Sequence, residues 1–162
     1  MGYAYKISDG GAVYFITCTV NKWVDVFSRK TYIDIIIESL NHCVENKGLI
    51  IYGYVIMSNH VHLHVQAKKE DLSDGLRDFK KFTSQTIIRT IEENNQASRR
   101  SWMLWLFKET DATGKVSYQF WKPDNHPEIC YQLPFMWQKL EYIHNNPVRA
   151  GLVYKAEDLC IQ

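Results

Sequence analysis

The sequence predicts an α+β fold: an antiparallel sheet of split β-α-β type with helices on one face and a separate C-terminal helix. Three observations predict it. β-Branched and aromatic residues concentrate in short runs at 12–20, 49–57 and 60–67. Two longer segments, 29–46 and 71–93, place apolar residues at helical spacing. A last amphipathic segment begins near residue 133 and meets Pro147, whose ring removes a donor and disfavours helix just before it.

Taken in order, Ala12-Val-Tyr-Phe-Ile-Thr-Cys-Thr-Val20 follows a Gly-Gly turn and reads as the first strand. Ser28 is placed to cap a helix over 29–46, with Ile33, Ile36, Ile37, Leu40 and Val44 on one face and Lys47-Gly48 at its end. Strands over 49–57 and 60–67 are joined by the polar turn Ser58-Asn59. Asp71 or Ser73 opens a second helix to residue 93, striped by Leu72, Leu76, Phe79, Thr83, Thr86, Ile87 and Thr90. After a polar break at 94–100 comes a Trp-rich helical piece at 101–108, the turn Asp111-Ala-Thr-Gly114 and a fourth strand over 116–121. Pro123, His126 and Pro127 fall in a loop, and the last helix covers about 133–145. This order is that of a ferredoxin-like domain. No repeat, linker or low-complexity tract interrupts it, so residues 1–162 read as one domain.

The bulk properties narrow the function classes. A chain of 162 residues, 46% hydrophobic and 23% charged, is large enough to bury a core of its own. No stretch approaches the ~18–20 apolar residues of a membrane span, and the start MGYAYKISDGGAVYF does not read as a signal peptide. Cys18, Cys43, Cys130 and Cys160 are far apart and form no CxxC pair, so reduced thiols and a cytoplasmic location are expected. The net charge of +1 argues against a broad basic surface for nucleic acid. Positive charge must then be local, as in the segment 68–81 with Lys68, Lys69, Arg77, Lys80 and Lys81; the alternative is a solvated helix face.

Two segments carry chemistry. In Ser58-Asn-His-Val-His-Leu-His-Val65, strand alternation puts His60, His62 and His64 on one face. Two imidazoles two apart on a rigid strand suit one metal ion, because their separation is set before the ion arrives. His64 either joins them or continues a polar face. In the last helix, Leu133, Met136, Leu140 and Ile143 form an apolar stripe, and Tyr142 points away from it beside Gln138, Lys139 and Asn146. The helix alone leaves Tyr142 open between an ordinary surface tyrosine and a presented phenol. Asn146 follows one turn later, and its amide oxygen is a hard neutral ligand suited to Mg²⁺ or Mn²⁺.

Together, Ser58-Asn-His-Val-His-Leu63 and, about eighty residues on, Tyr142-Ile-His-Asn-Asn-Pro-Val-Arg-Ala-Gly-Leu-Val153 resemble the single-tyrosine HUH transposases. The nearest resemblance is to the branch associated with repetitive extragenic palindromes (REP). Either motif alone is moderately specific, the ordered pair highly so, and the likeness covers nearly the whole chain. It implies that His60 and His62 hold a divalent cation, Mg²⁺ or Mn²⁺, that Asn146 is a third ligand, and that Tyr142 is the nucleophile. The implied reaction is DNA cleavage and rejoining through a 5′-phosphotyrosine on single-stranded or hairpin DNA. Arg77, Lys80, Lys81, Phe120 and Trp121 are the implied DNA contacts, the last two by stacking on unpaired bases. Lys139, one turn before Tyr142, is placed to lower the phenol's pKa. A homodimer exchanging tyrosine helices and a monomer are both compatible with the resemblance.

Two other readings use the same residues. A zinc-dependent hydrolase would draw on His60, His62, His126 and Cys130. A non-catalytic nucleic-acid binding module would present Tyr14, Phe120 and Trp121 on the sheet for base stacking.

Overall fold

The computed structural model describes residues 6–69, 71–95 and 98–156. Cys160 and both ends of the 1–162 domain assignment lie outside them. The elements are β1 (Tyr14–Thr19), α1 (Lys30–Lys47), β2 (Leu49–Ile56), β3 (His60–Ala67), α2 (Leu72–Glu93), α3 (Arg100–Phe107), β4 (Lys108–Thr110), β5 (Val116–Tyr118), β6 (Glu128–Ile129) and α4 (Leu133–Arg149).

The main sheet is antiparallel in the order β2-β3-β1-β6. This is the split βαβ arrangement the sequence predicts, with one substitution of parts. The fourth strand is β6, whose Ile129 and Glu128 pair with Tyr14 and Phe15. The run 116–121 is divided instead. Val116–Tyr118 finds its partner in Lys108–Thr110 across a tight turn, where Asp111 accepts bonds from the backbone of Thr113 and Lys115. Beyond it, Trp121 makes a single bridge to Val20. A local hairpin closes a shorter loop than a return to the sheet would require.

α1 and α2 cover one face of the sheet. Tyr14, Ile16 and Cys18 of β1 and Val61, Leu63 and Val65 of β3 point into that core with Ile36, Leu40, Leu76, Phe79 and Ile87. Ser28 does not cap α1. Its hydroxyl bonds back to the Asp25 carbonyl, because Val26–Ser28 forms a 3-10 turn of its own.

α4 packs on the opposite face, over a smaller cluster of Phe15, Val55, Met57, Cys130 and Ile143. Pro147 lies inside this helix, which runs on to Arg149. So late in a helix the proline forfeits little, and the end is well closed. Gly151 at φ 71° accommodates the left-handed cap, while Leu152 N–H donates to Pro147 O and Gly151 N–H to Val148 O. The Gly-Leu-Val tail of the second motif is therefore the cap of the tyrosine helix.

The docking of α4 also depends on Gly53. A bulge between Ile51 and Gly53 breaks the β2–β3 register. A Cβ on Gly53 would stand 2.9 Å from Leu140 Cδ2. Alanine is absorbed by a small movement of that leucine, whereas a branched side chain pushes on the helix. Gly53→Val is expected to cost about 1–3 kcal/mol by overpacking and to displace Tyr142. Urea unfolding and the separation of fold from activity in Gly53→Ala check this.

Candidate active site

The site lies where β3, β1 and α4 meet. Alternation along β3 turns His60, His62 and His64 toward α4, opposite the core. The β1–β3 register sets Thr17 across from His62 and Thr19 across from His60. From above, α4 presents Lys139, Tyr142, Ile143 and Asn146 to the sheet. The apolar stripe proposed for this helix is thus only part of its buried side. Leu133 is exposed, whereas Asn146 is buried. The helix buries polar groups because the sheet face beneath it carries a hydroxyl and imidazoles.

His62 is the centre of the arrangement. Its ring centroid is 4.6 Å from that of His60 and 5.3 Å from that of Tyr142. Phe15 stacks beneath it at 5.2 Å and meets Tyr142 edge-on at 5.8 Å. The structure thus brings together the histidine pair and the tyrosine that lie eighty residues apart in sequence, with Asn146 one turn beyond on the same helix. His64 does not join the pair. It is fully buried, with the Tyr52 ring at 5.6 Å, and among the described residues neither ring nitrogen has a hydrogen-bond partner.

The ring nitrogens of the pair are differentiated. Asn59 Nδ2 donates to the Trp23 carbonyl at 3.4 Å, which turns Asn59 Oδ1 toward His60 Nδ1 at 2.7 Å. A carbonyl oxygen only accepts, so His60 carries its proton on Nδ1 and its lone pair on Nε2. Thr17 Oγ1 occupies His62 Nδ1 at 2.9 Å, leaving Nε2 of that ring open as well. Hydrogen bonds of this kind orient metal-binding imidazoles.

Electrostatics keep both rings neutral, the form that ligates metals. Burial lowers the pKa of His60. His62 falls to about 3, chiefly through burial, then because a proton on it would repel one on His60 and the Lys139 ammonium. Lys139 is held beside it by Glu128 of β6, at 2.8 and 2.9 Å, and lies over the Phe15 ring at 4.5 Å. Arg149 places its guanidinium carbon 5.6 Å from the centre of the Tyr142 ring. Among the described residues no hydrogen bond engages either Nε2, and two neutral imidazoles with an amide oxygen are a donor set that fits a divalent cation.

Two predictions follow from this geometry. Thr17→Val keeps the shape but removes the hydroxyl that fixes His62; it should weaken divalent-ion affinity about 10–100-fold, read by Mn²⁺ titration of activity. The second concerns pH. The folded His62 takes up a proton only near pH 3, while the unfolded chain does so near 6.5. Stability is therefore full above about pH 6.5 and lost as pH falls toward 3, at up to ~1.4 kcal/mol per unit for this group. Metal-free protein should show a urea midpoint that drops across this window. In His62→Gln the drop should be shallower; an equal slope would contradict the assignment.

Other expected contacts fall elsewhere. Phe120 and Trp121 are 1% and 5% exposed, packed on Phe27, Phe107 and Phe79, and the Trp121 indole N–H donates to Thr83. They are core residues and offer no stacking surface. Tyr14 is equally buried, which removes the platform of the binding-module reading. Lys80 turns inward and donates to Lys122 O and Asn125 Oδ1, both at 2.7 Å; it pins the 122–125 loop. Arg77 pairs with Asp74 and Asp78. It and Lys81 are on α2, across the sheet from α4. Among the described residues, no three His, Cys, Asp or Glu side chains form a group that could hold a metal ion, so His126 and Cys130 do not complete a zinc site with the pair. Cys18, Cys43 and Cys130 are free thiols.

Sequence reasoning missed Phe15, Thr17, Asn59 and Glu128. The first two share the alternation of β1 and become visible only with the β1–β3 register. Asn59 was legible as a turn residue, and nothing local marks Glu128.

Residues 11–110, more than half the chain, match the family model described as Transposase IS200 like. The match contains the histidine pair and ends before α4. Comparison with curated proteins gives no match. Among solved structures, a REP-associated tyrosine transposase bound to a REP hairpin is similar with a TM-score of 0.68. That similarity covers 99% of this chain and 80% of the other at 16% identity, and shows a shared fold. No helix of the described residues is long and apolar enough to cross a membrane. The chain belongs to the IS200-like transposase family.

Proposed function

We propose that this protein is a metal-dependent transposase that cuts and rejoins single-stranded DNA through a covalent 5′-phosphotyrosine at Tyr142. The observation that carries the reading is the packing of the Tyr142 ring against His62, 5.3 Å between centroids, with His60 4.6 Å further on. A nucleophile and a pair of metal-competent imidazoles share one small surface.

His60 and His62 through Nε2, and Asn146 through its amide oxygen, are the residues that would hold the ion. A divalent ion bound there supplies charge neutralisation at a non-bridging oxygen of the scissile phosphate. The remaining roles belong to the chain. Phe15 and His62 hold the Tyr142 ring so that its hydroxyl is presented from a fixed helix. Tyr142 Oη attacks phosphorus, the P–O3′ bond breaks, and the 3′ oxygen leaves as a hydroxyl while the phenol loses its proton. The phosphate stays on the tyrosine as a diester, so a 3′-hydroxyl can reverse the step without ATP. Arg149, beside the ring, offers a planar donor pair to the same phosphate.

Hairpin DNA with single-stranded flanks is the proposed substrate. The similar solved protein binds a REP hairpin, and a net charge of +1 favours recognition by shape and local contacts. The test is the chemistry of the products. Incubation with hairpin DNA in Mg²⁺ or Mn²⁺ should yield fragments with polymerase-extendable 3′-hydroxyls and 5′ ends retained by protein, and chelator should stop both. Fragments with free 5′-phosphates would mean hydrolysis and overturn the reading.

A further inference from the structure

The segment after β1 holds an exposed indole in a backbone conformation that bulky residues seldom adopt. Lys22 and Trp23 both have φ 57°, in the left-handed region that costs an L-residue with a Cβ. Such outliers persist where surrounding contacts over-determine them, and they cluster at functional sites. Here the contacts are plain. Asn21 N–H donates to Phe120 O at 2.7 Å and Asn21 Nδ2 to Gln119 O at 3.1 Å. Trp23 N–H donates to Val20 O at 3.1 Å. The tight turn gains the Trp23 side chain no place in the core, since the residue is 58% exposed.

Its position ties it to the active site. The Asn59 amide that donates to Trp23 O is the one whose oxygen fixes His60. On the other side, Lys122 Nζ lies 3.8 Å from the centre of the Trp23 ring, and Lys122 N–H donates to Thr19 O, opposite His60 in the β1–β3 register. An exposed indole with an ammonium group over its ring is thus tied through Asn59 and Thr19 to the strand positions beside and opposite His60.

We propose that Trp23 and Lys122 form a nucleotide subsite, in which Trp23 stacks on an unpaired base beside the scissile phosphate and Lys122 neutralises the adjoining backbone. The chemistry matches a single DNA strand: a π-face accepts any base, and a cation tracks the phosphate. The subsite takes over the stacking role that the buried Phe120 and Trp121 cannot fill. It rests on the transposase reading above.

The test uses full-length protein carrying Tyr142→Phe, so that binding is measured without turnover. The probe is a fluorescein-labelled DNA hairpin with thymidine flanks on both sides, followed by anisotropy. Trp23→Ala should weaken binding about 5- to 150-fold, the range of one lost base stack, and Trp23→Phe should retain most of the affinity. Trp23→Gly relieves the positive φ, so it should melt no lower than the parent and still lose the affinity; this separates ring from fold. Scanning the flanks with single abasic sites should find one position whose loss weakens the parent and adds nothing in Trp23→Ala. Unchanged binding by Trp23→Ala and Trp23→Gly, or abasic effects fully additive with them, would overturn the subsite and leave the transposase reading standing. Failure of the parent to bind any flanked hairpin would overturn both.

Discussion

Tyr142→Phe is expected to abolish DNA cleavage, a fall of at least about 10³-fold, while the protein folds as before. The substitution removes one oxygen and keeps the ring that packs against Phe15 and His62. Tyr142 is the tyrosine whose ring packs against His62. Thermal unfolding should move by no more than about 1 kcal/mol in stability, the scale of a single hydroxyl. Paired with a cleavage assay on hairpin DNA, that measurement separates a lost nucleophile from a lost fold. Cleavage at an undiminished rate would remove Tyr142 from the chemistry.

The second large effect is expected at His60. The His60→Ala protein should lose more than about 100-fold in cleavage at limiting Mn²⁺, beyond what an outer partner of a ligand contributes, with partial recovery at high ion concentration. His60 is the cleaner choice of the pair because it is half-buried, whereas His62 is 6% exposed. Truncating His62 would also leave a cavity and orphan the Thr17 hydroxyl. A stability readout completes the argument. An ion that binds the folded state raises the melting temperature in proportion to the logarithm of its concentration. The parent should show that rise with Mn²⁺, and His60→Ala should show little of it. A rise of equal size in both would place the ion elsewhere.

How much of this was legible in the sequence differs by element. β3 was read with its boundaries, 60–67, because three histidines alternate with Val61, Leu63 and Val65, and period-two patterning is the most local of signals. The stripe of α2 is legible through Leu72, Leu76, Phe79, Thr83 and Ile87, while Ile88 and Ile91 take the buried places expected of Thr86 and Thr90. The fourth strand was misplaced because the most β-like run near the end of the chain, 116–121, has a closer partner in Lys108–Thr110. The strand that completes the sheet is two residues long and is fixed only by its pairing with Tyr14 and Phe15. α4 runs past the end that Pro147 predicts, because the cap at Gly151 closes the last turn beyond it.

The site divides in the same way. His60, His62, Tyr142 and Asn146 were visible as residue types on faces and by family resemblance. The groups around them were not, because Thr17 and Asn59, which bond His62 and His60, and Glu128, which holds Lys139, acquire their roles across strands and turns. The two expected stacking contacts failed for a physical reason. An aromatic pair such as Phe120-Trp121 is the same sequence signal whether it stacks on a base or fills a core, and burial alone decides. The stacking role proposed for Trp23 rests on its exposure and on the Asn59 amide that joins its carbonyl to His60.

The central claim is a phosphate ester on one named side chain, and mass spectrometry of the trapped adduct tests it most directly. Protein incubated with hairpin DNA and Mn²⁺ would be denatured, treated with nuclease and digested with trypsin. Cleavage after Lys139 and Arg149 releases residues 140–149, in which Tyr142 is the sole tyrosine. The account predicts that this peptide carries the added mass of a nucleotide, that fragmentation assigns it to Tyr142, and that chelator abolishes it. A nucleotide on any other residue, or cleaved DNA with every peptide unmodified, would contradict it.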